Sequence, residues 1–281
     1  MWRDRLKALI PASWRGDAVT VPVIRISGVI GGAIPFRQGL SLESLAGPLH
    51  RAFALRTAPA VALIINSPGG TPVQAHLIYK RIRALAAEKQ KTVFAFVEDI
   101  AASGGYLVAL AADEIVADQS SIVGSIGVVS ASFGFQDFIA RFGIERRLHV
   151  AGDRKAMLDP FRPERPEDVA HLEGLQRDVH AMFIDLVKER RGARLADDPD
   201  LFSGAFWSGR RGVELGLADS IGDARSVLRE RFGDKVATPV LTAARPLWRR
   251  RLGMSATLAG QSVDAIIAAL EERAAWSRFG L

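Results

Sequence analysis

Residues 60–66 (AVALIIN) form an apolar run that constrains the fold of this chain more than any other feature. A strand that is apolar on both faces is typical of a parallel sheet covered by helices. The run passes into Ser-Pro-Gly-Gly at 67–70, and a helical pattern follows at 72–89. A second buried strand is predicted at 92–97 (TVFAFV). Strands and helices that alternate in this way predict an α/β fold with largely parallel strands.

The remaining segments extend this pattern and divide the chain into three parts. Further strands are predicted at 19–27, 114–117 and 144–150. Helices are predicted at 41–55, 103–112, 167–191, 224–232 and 256–276, with a helix and turn at 207–222. We expect an N-terminal segment at 1–18, an α/β domain at 19–236, and a basic, helical C-terminal extension at 237–281.

The composition is that of a globular protein. Of the 281 residues, 48% are hydrophobic and 24% are charged, which argues against a disordered chain or a polytopic membrane protein. Cysteine is absent, so disulfides, thiolate metal sites and cysteine nucleophiles are excluded. The net charge of +6 would suit nucleic acid, but no nucleic-acid-binding motif occurs, and we expect no nucleic-acid partner.

The two ends of the chain bear on where the protein works. The apolar stretch within residues 1–12 is too short for the core of a signal peptide, and no segment approaches the ~20 apolar residues of a membrane helix. We therefore expect a cytoplasmic protein. Near the other end, Trp248, Trp276 and the arginines at 249–251 could contact membrane lipid, but an ordinary packed or disordered tail is the favoured interpretation.

Two glycine-containing loops follow neighbouring buried strands. Ligands of open α/β sheets bind at the carboxyl ends of the strands, where residues 67–70 (SPGG) and 99–105 (DIAASGG) are expected. A serine at the start of a helix, such as Ser103, exposes its hydroxyl beside backbone N–H groups that can hold a developing negative charge. Taken singly, Ser103 could be a helix N-cap and the other loop a plain turn. The pair of loops at adjacent strand ends favours a catalytic site.

A serine nucleophile needs a base, and a lysine is the best candidate. No histidine occurs between Ser103 and His149, which disfavours a Ser-His-Asp triad. Lys155 is the only lysine between Lys91 and Lys188. A lysine, whose ordinary pKa is about 10.4, acts as a base only where burial keeps its amine neutral. The alternative interpretation is a solvated lysine on a loop.

Five segments in the same order resemble the signal peptide peptidase A family of serine–lysine peptidases, whose fold is similar to that of Clp protease and crotonase. They are NSPGG at 66–70, DIAASGGYLVALAADEIVA at 99–117, SIVGSIGV at 121–128, AGDRKAMLDPF at 151–161 and WSGRRGVELGLADSIG at 207–222. The similarity extends over residues 19–236.

The resemblance implies a site and a reaction. It implies a serine endopeptidase that needs no cofactor or metal and that cleaves extended, largely apolar peptides, such as remnants of signal peptides or unfolded or membrane-protein segments. It also implies a homo-oligomer of four or eight copies. The residues that match the family's site are the nucleophile Ser103, the general base Lys155, the oxyanion-hole glycines Gly70 and Gly104, the lysine-positioning Ser125, and Gly69 and Gly105 beside the substrate, with Gly69 as a substitute for Gly70.

An acyl-CoA hydratase or isomerase of the crotonase type is the alternative. Such an enzyme would use the same oxyanion loops but would need carboxylates at the strand ends for acid and base catalysis. The nearby carboxylates are Glu98, Asp99, Asp113 and Glu114. This alternative leaves Ser103 and Lys155 without a role.

Overall fold

The computed structural model describes residues 18–31, 39–242, 270 and 273–281, and its framework is one mixed sheet. Its strands are β1 (Val23–Ser27), β2 (Ala60–Ser67), β3 (Thr92–Ala102), β4 (Glu114–Ala117), β5 (Ile122–Gly124), β6 (Phe206–Ser208) and β7 (Ser220–Ile221). Strands β1, β2, β3, β4 and β7 lie in that order and pair in parallel. The predicted α/β class with largely parallel strands is thereby confirmed.

Strand β3 changes its partner along its length. Its first half pairs with β4, with Phe94 opposite Glu114, and its last residues pair with β5, with Ala102 opposite Gly124. An irregularity in the pairing with β2 lies between these halves. β5 in turn pairs antiparallel with β6. The end of β3 is therefore held on both sides, by β2 and by β5.

Helices cover both faces of the sheet. They are α1 (Leu42–Ala54), α2 (Pro72–Lys89), α3 (Gly104–Ala109), α4 (Gln136–Arg141), α5 (Pro166–Arg191), α6 (Gly209–Glu214) and α7 (Ala224–Phe232). The main core packs α1, α2, α3 and α5 against one face, which takes the alternate side chains Val93, Ala95 and Val97 of β3. Phe94 and Phe96 point to the other face, where Phe232 of α7 meets the Phe94 ring edge-on at 6.0 Å.

A buried ion pair joins α5 to the far edge of the sheet. Arg191, which is 3% exposed, donates two hydrogen bonds of 2.9 and 3.0 Å to the carboxylate of Asp219. Asp219 also accepts one from the N–H of Ile115 on β4. Burial would raise the pKa of Asp219, but these hydrogen bonds and the charges of Arg191 and Arg194 hold it below its ordinary value.

Most predicted elements are present, with shifted ends. The helices predicted at 72–89 and 224–232 have those bounds in the structure. The helix predicted at 103–112 is shorter, at Gly104–Ala109, and the second buried strand is longer, at Thr92–Ala102. The prediction of a strand at 144–150 was wrong, since these residues form no strand and pair with none of the described strands.

The terminal segments are described in part. Residues 237–241 run beside β1, where Val21 donates to the carbonyl of Ala237 and Leu241 donates to that of Val23. Residues 273–277 are helical, and Phe279 packs on Ile100 of β3. Most of the predicted helix at 256–276, and Trp248 with the arginines at 249–251, lie outside the described residues. The predicted domain bounds stay a prediction. None of the described helices is long and apolar enough to cross a membrane.

We predict that Asp219→Asn lowers the free energy of unfolding by about 3–5 kcal/mol, because it leaves the buried guanidinium of Arg191 without a counter-charge. Urea unfolding near pH 7 measures the change. Asp234→Asn is the matched control, since its carboxylate is 85% exposed and pairs with Arg229 at the surface. A loss below about 1 kcal/mol is expected there. Equal losses in the two variants would contradict this account.

The ion pair of Arg191 and Asp219 also predicts how the stability of the protein depends on pH. A carboxyl whose pKa is lowered by folding stabilises the protein above its unfolded pKa of about 4, and that contribution is lost as the pH falls through the folded value. The stability of the wild type should therefore fall more steeply below pH 4 than that of Asp219→Asn, as measured by urea unfolding at a series of pH values. Parallel curves would show that Asp219 does not carry this dependence.

Candidate active site

Two backbone loops meet at the carboxyl ends of β2 and β3. A Cβ added at Gly69 would lie 2.8 Å from the Cβ of Ser103 and 2.9 Å from the nitrogen of Gly104. A Cβ added at Gly104 would lie 3.3 Å from the nitrogen of Gly70. The loops therefore touch through their backbones, and the space between them excludes a side chain at Gly69.

Ile30, which follows β1, fixes the direction of the Gly70 N–H. Ile30 donates to the carbonyl of Gly69 at 2.7 Å, and Thr71 donates to the carbonyl of Ile30 at 2.9 Å. Since successive peptide groups of an extended chain point to opposite edges, the N–H of Gly70 points away from Ile30. Within the described part of the chain, neither Gly70 nor Gly104 donates its backbone N–H to an acceptor. The two loops thus place two N–H groups without acceptors close to each other, and their role as an oxyanion hole stays a prediction.

Ser103 holds a strained backbone between β3 and α3. Its φ of 50° and ψ of −123° resemble those of the first central residue of a type II′ turn, a position that favours glycine. A non-glycine residue at such dihedrals costs about 1–3 kcal/mol and persists where the surroundings hold it. Here Ser103 donates its N–H to the carbonyl of Gly124 at 2.8 Å. The strained serine is thus tied to the end of β5.

Ser125 lies beside Ser103, at the end of the neighbouring strand. It follows Gly124 directly, is 2% exposed, and also has a positive φ, of 53°. Its N–H donates to the carbonyl of Ala205 at 2.7 Å. The two serines that the sequence predicts to be functional are therefore brought together at adjacent strand ends.

Gly105 has a packing role that the sequence did not predict. A Cβ at this position would lie 2.4 Å from the carbonyl oxygen of Ser67. Ser67 is fully buried, and its hydroxyl donates to the carbonyl of Gly28 and accepts from the N–H of Gly69. Gly105 therefore lets α3 lie against the end of β2. A contact of Gly69 or Gly105 with substrate stays a prediction.

Lys155 lies on residues 129–164, a segment that we call the arm. It occupies a turn, its N–H donates to the carbonyl of Gly152, and its side chain is exposed. Among the described residues, no hydrogen bond or ion pair joins Lys155 to Ser103 or Ser125. The structure thus shows no bond between the predicted serine and lysine within the described residues, and the role of Lys155 stays a prediction.

The arm packs on itself. Phe135 donates to the carbonyl of Pro160, Arg146 pairs with Asp159, and the rings of Phe135 and Phe161 are 5.7 Å apart. The hydrogen bonds of the arm within the described residues join it to no other element. Large apolar side chains are exposed along it, at Val129, Phe133, Phe135, Phe138, Phe142, Ile144, Val150 and Phe161. An apolar surface of this kind marks an interaction site.

The four carboxylates that the alternative reaction needs are each engaged. Glu98 pairs with Arg25, Asp99 accepts from Asn66, and Glu114 pairs with Arg231. Asp113 pairs with Arg83 and Arg190. Carboxylates held in this way are poorly placed to transfer protons to a thioester substrate, which weighs against crotonase-type chemistry.

Two residues that shape the site were not predicted to do so. Ile30 orients Gly70 across about forty residues of sequence, and a pairing of this range leaves no local pattern. His180 of α5 makes a 3.0 Å hydrogen bond with the carbonyl of Ile126, next to Ser125. This contact gives His180 a structural role beside the site.

Comparison with known proteins identifies the family. A family model described as Peptidase family S49 matches residues 86–235, which is more than half of the chain. The chain belongs to peptidase family S49. Ser103, Ser125 and Lys155 lie inside the matched range, and the loop of Gly69 and Gly70 lies before it. The predicted resemblance to the signal peptide peptidase A family is confirmed.

Curated relatives extend the comparison. The chain is 54% identical over 98% of its length to a protein of Brucella abortus (strain 2308) named Na(+)/H(+) antiporter NhaA, and covers 39% of that protein. It is 31% identical over 79% of its length to Putative protease slr0021 of Synechocystis, covering 81% of it. It is 26% identical over 60% of its length to Putative signal peptide peptidase SppA of Enterococcus faecium, covering 48%. This S49 chain thus spans less than half of the first curated relatives that it matches.

We predict that Ser103→Gly is more stable than Ser103→Ala by about 1–2 kcal/mol, because glycine adopts a positive φ without the strain that a Cβ causes. Urea unfolding of the two variants measures the difference. Both variants lack the hydroxyl, so the comparison isolates the cost of a Cβ at a positive φ.

Ala84→Gly on the exposed face of α2 is the control, because it measures the effect of an alanine-to-glycine change where the backbone is unstrained. There the same change is expected to destabilise the protein by about 1 kcal/mol, since the backbone is helical. If Ser103→Gly were less stable than Ser103→Ala, the strain at Ser103 would not exist.

Proposed function

We propose that this chain is a serine endopeptidase in which Ser103 is the nucleophile and Lys155 the general base. One observation carries the proposal: a strained serine lies at a strand-to-helix junction beside two backbone N–H groups that have no acceptor among the described residues. Membership of a peptidase family supports the same chemistry. The roles of the individual residues are inferred from the positions that match the family's motifs.

The first half of the reaction forms an ester. The Oγ of Ser103 attacks the carbonyl carbon of the scissile peptide bond while its proton passes to the neutral Nζ of Lys155. The carbonyl oxygen becomes an oxyanion, which accepts hydrogen bonds from the N–H groups of Gly70 and Gly104. Each such donor contributes roughly 2.7–4 kcal/mol in enzymes where this has been measured. The C–N bond then breaks, and Lys155 returns the proton to the leaving amine.

The second half hydrolyses the ester. Lys155 takes a proton from a water molecule whose oxygen attacks the acyl carbon, and the same two N–H groups hold the second oxyanion. The bond to Oγ breaks, the proton returns to Ser103, and the peptide leaves as a carboxylic acid. Ser125 would hold the amine of Lys155 between these steps, since it lies beside Ser103 on the side of β5.

The exposed position of Lys155 makes assembly part of this proposal. An amine in bulk water is protonated near pH 7 and cannot accept a proton. The arm that carries it exposes large apolar side chains, Phe133 being 79% and Val129 71% accessible. We propose that a second copy covers the arm, that this contact buries the amine, and that the arm of one copy delivers Lys155 to Ser103 of its neighbour.

The substrate proposed is an extended peptide with small or apolar side chains. Among the described residues the N–H of Gly70 has no acceptor, and an extended peptide could add beside this loop as a strand, with main-chain hydrogen bonds giving affinity. Remnants of signal peptides are the proposed class, which the name of the Enterococcus relative supports.

Labelling with a fluorophosphonate tests the nucleophile. We expect the wild type to be labelled at Ser103 and Ser103→Ala to be neither labelled nor active on an extended apolar peptide. Lys155→Ala should lose labelling to a similar degree, and Lys155→Arg should not restore it, because a guanidinium cannot act as a neutral base. Label on another residue, or turnover retained in Ser103→Ala, would overturn the assignment.

A mixture of variants tests where the lysine comes from. Ser103→Ala keeps its lysine and Lys155→Ala keeps its serine, so co-assembled copies should regain a fraction of wild-type hydrolysis if neighbours share each site. Phe133→Asp should break the assembly by placing a charge in the contact, as light scattering would show, and hydrolysis should fall with it. An active monomer would contradict the shared site.

A further inference from the structure

Two arginines from different helices bind the end of α3 that is remote from Ser103. Arg190 of α5 donates from Nε to the carbonyl of Leu110 at 2.9 Å and from Nη2 to that of Ala112 at 2.8 Å. Arg83 of α2 donates to the carbonyl of Ala111 at 3.1 Å. Three successive carbonyls that follow a helix, which a helix leaves without donors, are therefore satisfied by two guanidinium groups.

Asp113 holds the two arginines together. Its Oδ1 accepts from Arg83 at 2.8 Å and lies 3.4 Å from Nη2 of Arg190. Its Oδ2 accepts from the N–H of Val93 at 2.9 Å, and its own N–H donates to the carbonyl of Val93. The carboxylate thus connects α2 and α5 to β3. We call Arg83, Arg190 and Asp113 the clamp.

Because α3 is short, its position depends on contacts such as those of the clamp. The helix contains only Gly104–Ala109, and a helix this short has little stability of its own. At its start the backbone of Ser103 is strained, and at its end lie the three carbonyls that the clamp binds. The contacts at this far end therefore act together with those along the helix to hold it against the strain.

We propose that Arg190 is a positioning residue for the reaction, acting through α3 on Ser103 and on the N–H of Gly104. This inference rests on the proposed function. The planar guanidinium of Arg190 reaches two carbonyls at once, and the positive charge is favourable at a helix C-terminus. Without this fork, α3 moves and Ser103 leaves the strained conformation that aligns it with the oxyanion hole.

The test compares Arg190→Lys and Arg190→Gln with the wild type. Lysine keeps the charge but has a single ammonium group that cannot bind both carbonyls as the guanidinium does, and glutamine removes the charge. Both variants should therefore have lower activity than the wild type. Hydrogen exchange of residues 103–113 reports on α3 without any activity. We expect exchange there to be faster by about tenfold or more, with β2 and α2 unchanged.

Fluorophosphonate labelling supplies the second measurement. The rate constant for acylation should fall on the order of 10–100-fold, because a small misplacement of reacting groups has an effect of that size. The concentration for half-maximal rate should change less than about twofold, since Arg190 does not touch the ligand. Arg229→Gln is the control: it removes an exposed arginine of α7 and its ion pair with Asp234, and it should leave both measurements unchanged.

Each outcome decides a separate point. Unchanged exchange at 103–113 would overturn the clamp, and faster exchange with unchanged acylation would overturn the positioning role. If the wild type itself took no label at Ser103, the proposed function and the positioning role would both fail, while the exchange data would still decide whether the clamp holds α3. Arg83→Lys provides a second variant if Arg190 variants do not fold, and smaller changes in the same directions are expected.

Discussion

The structure around the site depends on a close approach between two backbones. The loop after β2 and the loop after β3 touch at Gly69 and Ser103, where any added side chain at Gly69 would overlap the serine. This contact sets the N–H groups of Gly70 and Gly104 side by side without any side chain between them. It also requires β2 and β3 to end at one level, which their parallel pairing provides. The sheet therefore brings into contact two glycine loops that are distant in the sequence.

The strain at Ser103 is held from several directions. Its N–H is fixed by Gly124, and α3 beyond it lies on Ser67 through Gly105. Further along α3, the hydroxyl of Tyr106 donates to the carbonyl of Leu217 at 2.8 Å, and burial raises the pKa of that phenol. A single hydrogen bond contributes only about 1 kcal/mol net, so several contacts are needed to offset strain of this size. The surroundings of α3 are consequently rich in such contacts.

The sequence predicted what depends on local pattern. The apolar runs of β2 and β3 and the glycines at 69, 70 and 104 carry their own signals, because burial and close backbone approach restrict residue type at each position. The pairing of Ile30 with Gly70 and the binding of α3 by Arg83 and Arg190 join residues far apart in sequence, and an arginine that satisfies helix carbonyls looks like any surface arginine. The strand predicted at 144–150 failed for a related reason. Its apolar residues suit an interface as well as a sheet, and they pair with none of the strands that the structure describes.

Under the proposed function, the same apolar residues would let a neighbouring copy complete the site. The donors and the serine sit at the edge of the sheet, whereas Lys155 sits on an arm whose hydrogen bonds among the described residues stay within the arm. Under the proposed mechanism the arm must be covered before the amine can lose its charge, because burial is what makes a lysine neutral. Proton transfer would then depend on assembly. Under the proposed function, hydrolysis would occur only where copies meet.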